Sequence, residues 1–404
     1  MGRDTRADSS YTWLIMTLIT NTDALRVFCA PLHSEPFITV DTEFMREKTY
    51  WPQLCLVQIG GPDAAVAVDP LAEGMDLTPL YELLDNRNVT KVFHAARQDL
   101  EIFLHLSNRL PAPLFDTQIA AMVCGFGESV GYEHLVSKLA NARLDKGSRF
   151  TDWAMRPLSD RQIKYALADV THLRVAYQKL RDQLECENRT QWIEEEMEVL
   201  RDPATYRPDP MKIYQRIKGK KSNGRFLAVL RELAAWRERE AQYRDIPRNR
   251  VLRDEILVEI AHHTPETPKT LSRTRGLSEK AAHGLTGSAI LDAVKRGLKT
   301  PREQWPQLPA RPDLPRGIGP TSDLLKVLLK KVSEDANVAG RLIASSAEVD
   351  LIAGLGENAI VPALGGWRRE IFGKDALRLR AGELALAIRG NQLIIREISD
   401  QLAE

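Results

Sequence analysis

The sequence lacks any apolar run near the roughly 20 residues that a bilayer-spanning helix requires. The best candidate, residues 13–19, is short and follows the acids Asp4 and Asp8 without a small-residue cleavage site, which argues against a signal peptide. Met16, followed by the cap-like Asn21-Thr22-Asp23, suggests that the first fifteen residues are dispensable or an over-extended start. Only four cysteines occur (Cys29, Cys55, Cys124, Cys186), and no two form a C-x-x-C pair. A thiolate metal site or a disulfide framework is therefore not expected, and a reducing cytoplasm fits. Net charge is nearly absent at +1, with 56 basic and 55 acidic residues. What is present is ordinary globular composition, 43% hydrophobic and 27% charged, over 404 residues, long enough for two to four domains.

The near-zero net charge hides a division. Residues 201–300 hold 22 basic and 12 acidic residues, a net of +10, whereas residues 1–200 carry 20 and 29, a net of −9. An acidic surface repels a polyanion, so a grip on nucleic acid is expected from the basic segment. Residues 36–40, 54–59, 64–68 and 90–93 read as strands, and Gly60-Gly61-Pro62-Asp63 marks a turn. Residues 77–84, 95–106, 116–124 and 132–140 read as helices, followed by a long one capped by Ser159. This mixture predicts an α/β domain with a mixed sheet over 22–205, after an extension at 1–21. Helical spacing of Phe226, Leu227, Leu230, Leu233 and Ala234 predicts an all-helical domain over 212–298. A proline-rich linker (299–319) and a second helical block (320–404) follow, although the alternation at 384–388 also fits a short strand.

Three segments carry acids where a core does not ordinarily want them. In Val40-Asp41-Thr42-Glu43-Phe44 an apolar strand ends in two acids, two residues apart and so on one face. The carboxyl end of a strand is where open α/β sheets bind ligands. In Phe93-His94-Ala95-Ala96-Arg97-Gln98-Asp99 a strand feeds a helix with Asp99 about a turn inside it. Tyr165 and Asp169 stand four apart on one face of a later helix. Singly, each has an ordinary explanation as turn former, helix cap or surface pair; together they suggest convergence. Like charges about 4 Å apart repel by roughly 4 kcal/mol at an effective dielectric of 20, so such a cluster needs cations. An all-oxygen donor set favours Mg²⁺ or Mn²⁺. A pair of such ions suits in-line phosphoryl displacement, with Tyr165 orienting the attacking water.

These residues resemble the DEDD exonuclease superfamily in its tyrosine subgroup. Asp41-x-Glu43 corresponds to its first motif, Asp99 to its second and Tyr165-x-x-x-Asp169 to its third, with no departure. The surrounding Phe44-Met45-Arg46-Glu47, Tyr50-Trp51-Pro52, Phe115-Asp116-Thr117-Gln118 and Trp153-Ala154-x-Arg156-Pro157-Leu158 resemble the bacterial ribonuclease D family over about residues 22–300. Leu233-Ala234-Ala235-Trp236-Arg237-Glu238 and Ile246-Pro247-Arg248 resemble its helical HRDC module, and residues 320–404 are similar to a second in size and pattern.

The resemblance implies a ribonuclease H-like mixed-sheet exonuclease domain followed by two small all-helical HRDC-like domains. It also implies a 3′→5′ exoribonuclease that trims RNA 3′ ends, tRNA precursors included, and releases nucleoside 5′-monophosphates. Asp41, Glu43, Asp99 and Asp169 would bind two Mg²⁺ or Mn²⁺ ions, and Tyr165 would position water. Thr42, Phe44, His94 and Gln98 are candidate contacts to the terminal nucleotide, although Phe44 equally suits a core and His94, a candidate for phosphate, suits a core better. Lys220, Lys221, Arg248 and Arg250, with Lys218, Arg225, Arg244 and Arg253, are candidate contacts to RNA backbone. A DNA-directed exonuclease and a non-catalytic RNA-binding adaptor stay open as rivals, and residues 320–404 also suit a protein-interaction scaffold.

Overall fold

The computed structural model describes residues 17–144, 147, 151–218, 223–308 and 313–398. Asp4, Asp8, residues 13–16, Lys220, Lys221, Pro309 and Pro312 lie outside the described residues.

Six strands form one mixed sheet: β1 (Thr17–Ile19), β2 (Phe37–Met45), β3 (Gln53–Gly60), β4 (Ala65–Val68), β5 (Thr90–Phe93) and β6 (Leu114–Asp116). Their order is β1-β4-β3-β2-β5-β6. β2, β3 and β4 are antiparallel neighbours, whereas β1 joins β4, and β5 and β6 extend β2, in parallel. Burial of β3 and β4 is nearly continuous because both faces are covered. On one face Ile38, Val40, Val57 and Val68 pack with α1 (Thr22–Leu32), α2 (Thr78–Asp85) and α3 (Arg97–Ser107). α4 (Thr117–Val123) and α5 (Tyr132–Leu139) also contribute to this core. On the other face Leu56, Ala65 and Ala67 receive Ala166, Leu167 and Val170 of α6 (Asp160–Cys186). Ser159 starts α6 with a reciprocal capping box to Gln162. α7 (Thr190–Arg201) completes the domain.

The sequence reading differs from this fold in instructive places. The strand expected at 36–40 continues to Met45, because β3 supplies ladder partners as far as Met45↔Gln53. Asp41 and Glu43 therefore lie within the strand, not at its end, and a bulge falls just after them between Glu43 and Phe44. β1 and β6, three residues each, are too short to leave a periodic signature.

A second core gathers Phe226, Leu230 and Leu233 of α8 (Gly224–Tyr243) against Leu257, Ile260, Ile290 and Val294. A Cβ on Gly297 would lie 2.5 Å from the Val229 Cα, so glycine permits this close helix crossing. A third core contains Leu325, Leu328, Ile352, Phe372 and Leu379. This last block closes in a β-hairpin, β7 (Leu384–Arg389) and β8 (Gln392–Glu397), with Gly390 at φ +62° in the turn. The alternation at 384–388 is thus a strand.

Both helical blocks dock on the sheet domain. Tyr50 and Trp51 donate backbone N–H groups to Asp245 at 3.0 and 2.9 Å, and within the sheet domain Trp51 is held by stacking on His105 of α3 at 4.2 Å. On the other side Trp192 stacks on Trp367 at 4.4 Å, and Arg189 donates to the Ala336 carbonyl. The Tyr50-Trp51-Pro52 motif is therefore a docking segment.

Candidate active site

Alternation along β2 sends Asp41 and Glu43 from the same face. α6 lays Asp169 over that face, and one carboxylate oxygen from each of Asp41, Glu43 and Asp169 lies within 4.8 Å of the other two. Asp99 stands beside this trio without entering it. It is buried in the first turn of α3, and the Thr42 hydroxyl donates a hydrogen bond to its Oδ1. Tyr165, one turn before Asp169, hydrogen-bonds the Asp169 carboxylate, and its ring packs near Trp153 at 6.1 Å.

The electrostatics show an unbalanced site. Burial pushes the Asp41 carboxyl up to about 6. Burial, then repulsion from Asp41, Asp169 and Asp99, pushes Glu43 up to about 10. Asp99 and Asp169 are held well above the carboxylate range by burial first and by Asp41 second. No cation enters these interactions among the described residues. Crowded, all-oxygen, carboxylate donors of this kind fit a hard divalent ion.

Contacts beyond the motifs set this geometry. The Thr39 hydroxyl donates to the Val170 carbonyl at 2.8 Å, and Arg174 donates to the carbonyls of Phe37 and Gly60 at 3.3 and 3.1 Å. A Cβ on Gly60 would sit 2.3 Å from the Thr39 hydroxyl, so glycine lets α6 approach the sheet. The Tyr132 hydroxyl donates to the backbone carbonyl of Asp169 itself. At the other acid, Asp116 accepts N–H bonds from Ala95 at 3.0 Å and Ala96 at 2.8 Å while capping α4. Ala95 has φ +59°, a conformation that costs a non-glycine residue of order 1 kcal/mol and that the Asp116 clamp holds. The only sign of this role in the sequence is an acid placed just before a helix. Gln58, opposite Asp41 in the ladder, is fully buried, neither of its amide atoms has a partner among the described residues, and nothing in its local sequence marks it.

The other candidates divide. Thr42 is buried and committed to Asp99, so it orients an acid instead of facing a nucleotide. Phe44 is half-buried against the main core. His94 pairs through Nδ1 with the Thr117 hydroxyl at 3.0 Å, packs beside Tyr132, and is kept neutral by burial. It therefore lacks the charge expected of a phosphate contact. Gln98 is exposed. Arg248 is an interdomain strut, because its guanidinium is paired with the buried Glu238 and donates to the Tyr50 hydroxyl. Arg250 is exposed and carries no ion pair among the described residues, as do Lys218, Arg225 and Arg253. Arg244 faces Glu240 at 3.7 Å. Lys220 and Lys221 lie outside the described residues.

A mixed sheet with converging acids, followed by helical modules, defines the class: a 3′→5′ exonuclease. The 3′-5′ exonuclease family matches residues 16–185 and the HRDC domain family matches residues 226–294. Ribonuclease D of Granulibacter bethesdensis is 50% identical over 378 residues, 93% of this chain and 95% of the relative. Ribonuclease D of Jannaschia sp. is 50% identical over 384 residues, 94% of this chain and 99% of the relative. Among solved structures, Escherichia coli RNase D, an exoribonuclease involved in structured RNA processing, superposes with TM-score 0.77 at 32% identity, covering 91% of this chain and 98% of that one. The chain belongs to the ribonuclease D family. It is a 3′→5′ exoribonuclease of a superfamily that uses divalent metal ions. Among the described residues, no helix is long and apolar enough to cross a membrane.

Proposed function

We propose that this enzyme trims the 3′ ends of structured RNA, tRNA precursors among them, one nucleotide at a time, releasing nucleoside 5′-monophosphates. Asp41, Glu43, Asp99 and Asp169 would hold two ions, Mg²⁺ or Mn²⁺. The convergence of Asp41, Glu43 and Asp169 within 4.8 Å, with Asp99 near enough to be repelled by Asp41, carries this reading. When bound, such ions supply the positive charge that stabilises the attacking and leaving oxygens of an in-line displacement.

The chain's own residues do the rest. The Tyr165 hydroxyl, held by Asp169, orients the attacking water. A phenol with an ordinary pKa near 10 keeps its proton at neutral pH, so Tyr165 acts as an aligning group and not as a full base. Thr42 fixes the Asp99 carboxylate, and the Thr39 and Arg174 bonds keep α6 in place over β2. Free cysteines, three of them buried, accord with a reducing cytoplasm.

The direct test uses one tRNA precursor labelled at either end, with Mg²⁺ or Mn²⁺, beside a matched DNA strand. A 5′ label should move down a ladder of single steps, and a 3′ label should appear at once as mononucleotide. Faster loss of DNA than RNA would favour a DNA-directed enzyme. Hydrolysis surviving both chelation and Asp99→Asn would assign the activity to a contaminant and leave an RNA-binding adaptor.

A further inference from the structure

Between the sheet domain and the first helical module lies a cavity of about 650 Å³. Five arginines line it, Arg46, Arg97, Arg216, Arg237 and Arg248, against three carboxylates, Glu47, Glu101 and Asp254. Three of the arginines are already matched: Arg46 by Glu101 and Arg237 by Asp254, each at 2.6 Å, and Arg248 by Glu238. Arg97 and Arg216 are exposed and have no carboxylate partner among the described residues. Glu47 is likewise without an ion pair among the described residues, so two unmatched guanidinium groups face one carboxylate and leave a surplus of positive charge, which suits an anion because each guanidinium presents several N–H donors in a fork that fits phosphate oxygens.

The position selects which anion. Arg46 follows Glu43 by three residues on the chain, and Arg97 precedes Asp99 by two, at most about 7 Å between Cα atoms. Arg97 also opens α3, whose N-terminal end favours negative charge. Arg216 enters from the segment that leads into α8. A ligand bridging the two arginines therefore spans both domains, on chain segments that also carry Glu43 and Asp99.

We infer that this cleft holds the phosphodiester backbone of the RNA strand just upstream of the nucleotide being removed, with Arg97 and Arg216 as its two phosphate contacts. The inference rests on the exoribonuclease reading above and adds the path of the strand to it. It moves the grip from the lysines that the sequence offers at 218–221 to the seam between the domains. Contacts of this kind position a strand and read no sequence, as an enzyme that removes any terminal nucleotide requires.

The test uses the full chain, metal-free in chelator, and a labelled single-stranded RNA of mixed sequence, with anisotropy read between 50 and 200 mM salt. Arg97→Gln and Arg216→Gln should each flatten the slope of log K against log salt by about 0.7. Each should also raise KM for a long RNA more than it raises KM for a dinucleotide, which has no phosphate beyond the scissile one. Arg216→Lys keeps the charge and should keep the slope; loss of slope there as well would give the residue a structural part and overturn the contact. Wild-type affinity and slope in the double glutamine variant would also overturn it. Failure of the unaltered enzyme to shorten RNA with Mn²⁺ would instead bring down the exoribonuclease reading itself.

Discussion

The acid cluster and the arginine cleft meet at the first turn of α3, yet they handle charge in opposite ways. In the cluster, four carboxylates crowd together without a cation, and burial raises every one of them above its ordinary range. In the cleft, arginines are mostly matched by acids, and only Arg97 and Arg216 are left over. The cluster therefore favours a divalent cation, whereas the cleft is balanced enough to stand alone while keeping a surplus for a polyanion. Chemistry and grip are separable, and substitutions should separate them.

The largest effect should come from Asp41→Asn. It removes the acid that repels each of the other three, and should cost on the order of 10³-fold or more in kcat, while metal-free RNA binding stays within twofold. A normal rate would take Asp41 out of the site. Tyr165→Phe should cost about 10²-fold in rate and leave the Mn²⁺ count and RNA affinity unchanged. Loss of metal as well as rate would make the tyrosine a structural support of Asp169.

Asp116→Ala addresses what the two regions share. Its carboxylate pins the Ala95–Ala96 turn from which both Arg97 and Asp99 project. Leaving those N–H groups unmatched should cost about 1–3 kcal/mol of stability, read by denaturant unfolding. Rate and RNA affinity should fall together, roughly 10-fold each. A fall in rate alone would show that the cleft does not depend on this turn.

Much of this was legible in the chain. The β-branched runs at 54–59, 64–68 and 90–93 and the Ser159 cap mark their elements within a residue or two, because local chemistry decides them. Asp41, Glu43, Asp99, Tyr165 and Asp169 stand out because acids interrupt apolar text. What stayed hidden depends on partners distant in sequence. Nothing near Arg248 announces that it pairs with Glu238 and Tyr50, and nothing near Thr39 announces a bond to Val170, 131 residues on. Arg97 and Arg216 look like any exposed arginines until the domains are set side by side.

The pH dependence follows from the same crowding. Acids whose folded pKa is raised bind protons more tightly folded than unfolded, so the stability of the metal-free enzyme falls as pH rises from about 4, through about 6 for Asp41 and on toward about 10 for Glu43. A bound cation displaces those protons and should flatten the slope. Calorimetric titration of the full chain with Mn²⁺ near pH 7, in two buffers of different ionisation enthalpy, therefore probes the cluster most directly. Saturation at two ions per chain with release of protons is the expected result, and the absence of any saturable binding would contradict the account.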